Sequence, residues 1–335
     1  MKRVLFLIIT ISFITGGPVF ASKKPVWPQP PEKPRIAFDK IITKPEDAGI
    51  KKGFFTKIWE FFAGEENKII VKPFGIHVDG KKIYFTDAGL ATLFIFDREK
   101  NRMKSIQGFK SEKFRAPIDV ATDSKGNIFV TDAENRAVYV FNDKGIALSK
   151  FGSANDFLRP TGIAIDKDRG LVYVTDTVAS QIKRFTLTGI PLDPIGKKGN
   201  KKGELNRPTF IALDSDGKLY VCDSMNFRVN IYDKDSTFIR SFGKLGNAIG
   251  SFASPRGIAV DKDGNIYVTD TLFNAVQIFD KNGNLLLVFG SEGKEPGQFF
   301  GPQDIAISSD GKAYVTDSYN MRIEVFDILS YEKKR

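Results

Sequence analysis

Gly257-Ile258-Ala259-Val260-Asp261, Lys262-Asp263-Gly264-Asn265 and Ile266-Tyr267-Val268-Thr269-Asp270 run consecutively through the last third of the chain. Two short β-branched runs on either side of a Gly-containing turn read as a β-hairpin. Beyond them, Val276-Gln277-Ile278-Phe279 alternates apolar and polar as a third strand. Leu285-Leu286-Leu287-Val288-Phe289, ending at Gly290, supplies a fourth. The unit has no room for a helix pair.

Working outward, the same unit recurs. Prolines at Pro73, Pro117, Pro160, Pro208, Pro255 and Pro302 are spaced by 44, 43, 48, 47 and 47 residues. Aspartates at Asp87, Asp132, Asp176, Asp223, Asp270 and Asp317 follow at 45, 44, 47, 47 and 47. Nine residues after each aspartate stands Phe96, Phe141, Phe185, Tyr232, Phe279 or Phe326, and three before each proline stands Ile70, Phe114, Phe157, Leu205, Phe252 or Phe299. Three markers keep phase six times. A period in the forties with four short strands per unit predicts an all-β fold: a six-bladed β-propeller of four-stranded antiparallel blades over residues 70–327.

A propeller must close, or two sheet edges stay exposed. The sixth unit ends near Asp327 after its third strand. Arg35-Ile36-Ala37-Phe38-Asp39-Lys40-Ile41-Ile42 has the alternation to complete it, so residues 35–42 are expected to be the closing strand. Residues 43–69 break the repeat. Within them, apolar residues at 54, 55, 58, 59, 61 and 62, with Gly53 and Gly64 at the ends, predict a short amphipathic helix inserted before blade 1. Residues 328–335 form a basic tail.

The remaining N-terminal sequence reads as an address. Lys2 and Arg3 precede an apolar run from Val4 to Ile14, then Gly16, Gly17, Pro18 and Val19-Phe20-Ala21. This is the pattern of a signal peptide over residues 1–21, cut after Ala21, with the mature chain in the periplasm or outside the cell. Residues 22–34 carry five prolines between 25 and 34, which predicts an extended spacer. The formal charge of +10 becomes +8 once Lys2 and Arg3 leave with the leader. On an exported protein that charge points to an acidic protein face, an anionic envelope polymer or anionic lipid, and not to nucleic acid. A monomer is expected.

The sequence P-x-G-I-A-V-D, D-G-N-I-Y-V-T-D and N-x-R-V-x-I-F resembles the NHL repeat, most clearly over residues 208–232, 255–279 and 302–326. The resemblance implies the propeller fold. It leaves function open, since NHL-like propellers include protein- and RNA-binding scaffolds, extracellular sensor domains and a few enzymes. Amidating lyases of this type use a histidine-rich metal site and streptogramin lyases rely on histidine. With His77 alone, this chain cannot match the first and departs from the second. The more distant lactonases use carboxylate and amide ligands, which the histidine count does not exclude.

Composition narrows the chemistry further. One cysteine, Cys222, leaves no internal disulfide and no Cys-rich zinc site, and one histidine removes any multi-imidazole centre. The six aspartates from Asp87 to Asp317 read as turn caps, because a group repeated at one place in every blade serves the fold. Asp261-Lys262-Asp263-Gly264-Asn265 and Asp214-Ser215-Asp216-Gly217-Lys218 resemble calcium loops but lack the later ligands, so they read as hairpin turns. His77 stands where the other blades have alanine. It is read as a hydrogen-bonded filler, with a channel-lining acid, base or ligand as the alternative.

The candidate binding positions are those that vary. Phe74, Asp119, Arg256, Gln303 and Asp304 follow the prolines and are expected at the channel mouth. Arg136, Phe227, Arg228, Phe273, Tyr319 and Arg322 lie in or beside the loop after the second strand, with Arg159 and Arg207 nearby. Arginine interleaved with aromatics is the composition of a protein-binding surface; the structural alternative is pairing with the turn aspartates. Phe55, Trp59 and Phe62 of the predicted helix are expected to pack on the propeller, or else to dock a partner or touch a membrane through residues 53–64. No catalytic residue, metal ligand set or cofactor is assigned. The function expected is non-enzymatic binding of a protein or an anionic envelope polymer. The rival is a lyase or lactonase-like enzyme with a divalent metal held by carboxylates such as Asp119 and Asp304.

Overall fold

A computed structural model describes residues 24–51 and 69–329 of the chain. They form six antiparallel blades around a central hub. Blade 5 shows the plan: Pro255–Val260 innermost, then Ile266–Asp270, Ala275–Phe279 and Leu285–Phe289 at the rim. The innermost strands of successive blades pack side by side, and that of blade 6, Pro302–Ile307, returns against that of blade 1, Pro73–Asp79.

Blade 6 draws its outer strands from the N-terminal region. Arg322–Ile328 is its third strand, and Ile36–Ile42 pairs antiparallel with it, Ile36 opposite Ile328 and Ile42 opposite Ile323. Val26–Trp27 then adds a fifth strand on Ile36 and Ala37. The proline-rich stretch expected as a free spacer is therefore partly built into the sheet. The reason is Trp27, whose ring lies 5.9 Å from those of Phe289 and Phe326. Packing an aromatic ring of that size against the blade favours docking the extended segment over leaving it in solvent. The helix expected over residues 53–64, with Phe55, Trp59 and Phe62, and the signal peptide expected over residues 1–21 both fall outside the described residues.

The core is divided. Six clusters of buried side chains fill the six gaps between adjacent blades. Side chains of a strand alternate between the two faces of its sheet, and each blade has a neighbour on both faces. That is why the second and third strands read as nearly unbroken apolar runs and are buried throughout in blades 2 and 5. The outermost strands, with water on one edge, are mixed.

Threonine links the blades at the hub. Thr269 Oγ1 accepts the Gly257 N–H of its own blade at 2.8 Å and donates to the Gln303 carbonyl of the next at 3.0 Å. Thr86 and Thr131 donate likewise to Ile118 and Thr161, and Thr316 donates to Phe74 at 2.7 Å, joining blade 6 to blade 1. Cys222 holds this place in blade 4 and makes only a 3.8 Å sulfur contact to the Gly257 carbonyl. Gly257 itself must lack a side chain, because a Cβ there would stand 2.5 Å from Asp304 Cα. The blades approach that closely only where one of the two is glycine.

Candidate functional site

The chain enters every innermost strand at its proline, which pairs opposite the aspartate ending the second strand. Those entry loops and the turns after the aspartates therefore share one face, called here the proline face. The turns between first and second strands, and between third and fourth, make the opposite hairpin face.

The repeated aspartates are turn caps. Asp87 accepts the amides of Val71, Lys72, Gly89 and Leu90, and Asp270 those of Ala253, Ser254, Leu272 and Phe273. Each ties an entry loop to the following turn. The Asp-x-Asp-Gly segments are hairpin turns: Asp261 Oδ1 accepts the amides of Asp263 and Asn265.

These caps sort the proposed binding residues. Arg228 donates to Asp223 Oδ2 at 2.9 Å and to the carbonyls of Asn200, Lys201 and Glu204. Arg322 does the same with Asp317 and the carbonyls of Lys294 and Gln298, and also pairs with Glu324. Both bind the protein's own loops, as the structural alternative had it, and Arg322 is buried. Phe227 and Phe273 are half-buried. Arg136, Arg159, Arg207 and Tyr319 are exposed on the proline face.

One set of exposed residues, apart from Tyr319, escaped the sequence reading. In all six turns the fourth residue after the aspartate takes a left-handed conformation, φ 47° to 56° (Ala91, Arg136, Ser180, Phe227, Asn274 and Met321). The turn then carries its second residue at the tip. In blades 3 to 6 that residue is apolar: Val178, Met225, Leu272 and Tyr319, exposed by 44%, 52%, 69% and 57%. Phe300, also exposed, stacks 5.2 Å from Tyr319. The signal was the spacing from the aspartate, which places the neighbours of Phe227 and Phe273, and not those rings, outermost. The hairpin face is mixed: turn tips Lys125, Asp168, Asp216 and Asp263 are exposed and charged, while Ile146 and Ile190, in its turns between third and fourth strands, are exposed by 57% and 61%.

The hub is stopped at the proline face. Phe74 of blade 1 and Phe210 of blade 4, on opposite sides of the ring, approach to 6.0 Å between ring centres. The Arg256 guanidinium lies 5.6 Å from the Phe74 ring and donates to Gln303 Oε1. Phe74, Arg256 and Gln303 are thus parts of a plug, and Gln303 is buried.

Asp119 and Asp304 lie beneath this plug, not on the open mouth. Each is 4% exposed. Asp119 accepts the amides of Val120 and, across the blade gap, Ile163, both at 2.8 Å; Asp304 accepts that of Ile76 at 2.9 Å. Both line a cavity of about 210 Å³ that runs through the hub toward the hairpin face, past Ile76, Val120, Ile163, Ile211, Ile258 and Ile305 to Lys167 at the rim. Burial pushes the Asp119 carboxyl up to about 7, against its two amide hydrogen bonds. Burial and the nearby Asp119 charge also raise Asp304. Burial keeps the Cys222 thiol protonated.

His77 lines the same cavity. Its Nε2 lies 2.9 Å from Thr122 Oγ1, which donates to Asp79, and Asp79 also takes Lys167 at 2.9 Å. The hydroxyl donates to the carboxylate, so Nε2–H must donate to the hydroxyl. Burial, only partly offset by Asp79, pushes His77 down to about 4 and keeps it neutral. The histidine is hydrogen-bonded, as a filler would be, and it also borders the channel. Among the described residues, no group of three or more His, Cys, Asp or Glu is placed to hold a metal ion.

The family described as "6-bladed beta-propeller" matches residues 116–195 and 262–335, the NHL repeat matches 205–232, and the "Beta-propeller repeat" matches 245–269. A peptidyl-glycine alpha-amidating monooxygenase of Mus musculus is 25% identical over 172 residues, 44% of this chain. The match spans 17% of that enzyme's length. Among solved structures, a streptogramin B lyase superposes with a TM-score of 0.58 at 16% identity, covering 78% of this chain and 94% of its own. A chain of a nidogen/laminin complex superposes with a TM-score of 0.57 at 19% identity, covering 71% and 86%. At such identities the likeness is one of fold. With its six in-phase repeats, its closed ring of blades and these matches, the chain is an NHL-repeat six-bladed β-propeller.

Proposed function

We propose that this chain is a binding scaffold without catalytic activity, acting outside the cytoplasm, whose proline face docks an acidic protein partner. The observation that carries the reading is the arc of Val178, Met225, Leu272 and Tyr319 on four successive blades, bordered by the exposed Arg136, Arg159 and Arg207. Exposed apolar side chains at the same turn position on successive blades, with cations on the same face, suit a protein interface, in which aromatics, methionine and arginine are the enriched residues. The blades hold the arc rigidly, so little conformational entropy is lost on docking. The expected signal sequence supports the location. An anionic envelope polymer is the second candidate, and it would use the arginines without the apolar arc.

The rival reading, a lyase or lactonase with a divalent metal on Asp119 and Asp304, meets a donor set that does not favour it. Two carboxylates alone fall short of the six or more oxygen ligands calcium takes, and among the described residues no third carboxylate or imidazole is grouped with them. The streptogramin lyase is matched in fold and the amidating enzyme in sequence over 172 residues, while this chain brings one histidine to the task.

The test is capture from envelope extract with immobilised full-length protein, followed by mass spectrometry. Wild type is compared with Met225→Ser/Leu272→Ser/Tyr319→Ser, with Arg136→Gln/Arg159→Gln/Arg207→Gln, and with the hairpin-face control Lys125→Ser/Asp263→Ser. One acidic protein should fall at least tenfold with either proline-face variant and stay unchanged with the control. Binding lost only with the arginine variant assigns the face to a polymer. Recovery unaffected by both variants refutes the docking face.

A further inference from the structure

The hub cavity at the other end of the molecule carries an inference independent of the docking face. Its walls are six aliphatic residues, one from each blade, with Ala121, Ala164, Ala212, Ala259 and Ala306 making the next ring. Its inner end holds Asp119 and Asp304, each more than nine-tenths buried. Among the described residues the partners of these carboxylates are backbone amides: Val120 and Ile163 for one, Ile76 and Ile305 for the other. The cation that does line the cavity, Lys167, is committed to Asp79 at the rim.

An ionised carboxylate buried without a counter-charge is strongly unfavourable. Two flanking one space with a ring of aliphatic wall residues leave it with a negative potential that a proton or a visiting cation would relieve. Amides do not fill the acceptor capacity of a carboxylate, which takes about two hydrogen bonds per oxygen. The walls select what the cation is attached to, since stripping water from a hydrated metal ion is hard in a space with so few oxygens.

We infer that the hub cavity binds a small apolar primary amine as its ammonium ion, head group between Asp119 and Asp304 and hydrocarbon body against the isoleucine ring. Size agrees: an apolar cavity of about 150 Å³ is enough for benzene, and this one is about 210 Å³. Entry is from the hairpin face, past His77, Asp79 and Lys167, because the plug of Phe74, Phe210, Arg256 and Gln303 stops the proline face. His77 has its Nε2–H engaged with Thr122 and presents no positive charge near neutrality. On binding, a carboxylic acid gives its proton to solvent and becomes the partner of the ammonium ion. With Asp119 at about 7, that release is measurable at neutral pH.

The experiment is isothermal titration calorimetry of the full-length protein with cyclohexylmethylamine, its neutral isostere cyclohexylmethanol, and calcium chloride. The amine should bind one-to-one, at least tenfold tighter than the alcohol, and Asp304→Asn should weaken it at least tenfold. Titration in two buffers of different ionisation enthalpy should show net proton release at pH 7, a readout that needs no variant. Equal binding of the alcohol, no saturable amine binding, or amine affinity unchanged in Asp119→Asn/Asp304→Asn overturns the inference. So does stoichiometric calcium binding with which the amine does not compete.

Discussion

Removing residues 34–42 takes away the outer strand of blade 6 that Ile36–Ile42 supplies. Three of its side chains are deeply buried: Ile36 at 1%, Phe38 at 8% and Ile42 at 0% exposure. They enter two different cores, Ile36 and Phe38 between blades 5 and 6, and Ile42 between blades 6 and 1. At about 1.5–3 kcal/mol per fully buried side chain, the loss comes to roughly 5–9 kcal/mol. That is comparable to the whole stability of a folded domain, about 5–15 kcal/mol. Trp27 loses its place as well, because Val26–Trp27 pairs with the deleted strand. The full chain without residues 34–42 should therefore be largely unfolded or molten at 25 °C by near-UV circular dichroism. The milder Ile36→Ser/Phe38→Ser should lower the guanidinium midpoint at unchanged slope, corresponding to a loss of roughly 3–6 kcal/mol in unfolding free energy. A melting temperature within two or three degrees of wild type after the deletion would show that the strand does not hold the ring shut.

Thr269→Val leaves the Gly257 amide and the Gln303 carbonyl without their hydroxyl partner, and should cost about 2–4 kcal/mol by chemical denaturation. Cys222→Thr supplies the missing link in blade 4 and should raise stability by about 1 kcal/mol; a loss of stability would mean that the threonine geometry of the other blades does not extend to this one. Asp119 takes up a proton on folding between its ordinary 3.8 and about 7, so its contribution is full at low pH and is lost as pH rises through that window. The stability of wild type relative to Asp119→Asn should accordingly fall by a few kcal/mol from pH 4 to 8. His77 opposes it: a group lowered from 6.5 to about 4 loses stability for the fold as pH drops through that range. A His77→Gln variant should therefore gain relative to wild type as pH falls from 6.5 to 4, and flat differences would place both groups in solvent.

Much of this architecture was legible because repetition separates roles. A residue that recurs in six blades, such as the aspartates, answers to the fold, and the amides it gathers confirm that. The strand at 36–42 was legible from its alternation and from the missing edge in blade 6. Sites were harder to read, because a period assigns each residue a place within its blade but not the environment the ring creates there. Asp119 and Asp304 follow their prolines by two, and that offset gave no hint that they sit beneath Phe74 and Phe210. Those two rings belong to repeats distant in sequence and meet only because blades 1 and 4 face each other. Arg228 and Arg322 looked like binding residues by composition, and their guanidinium groups instead tie down the chain's own entry loops. Trp27 shows the limit of reading prolines as a spacer, since one large aromatic fixed the segment.

The docking face is the central functional claim, and site-specific photocrosslinking addresses it directly. A photoreactive phenylalanine analogue is placed at Leu272 on the proline face, or at Asp263 on the hairpin face of the same blade, in otherwise intact protein incubated with envelope extract before irradiation. The account predicts a single discrete crosslinked protein species from Leu272 and none from Asp263. Crosslinks from Asp263 alone, or none from either position, would contradict it.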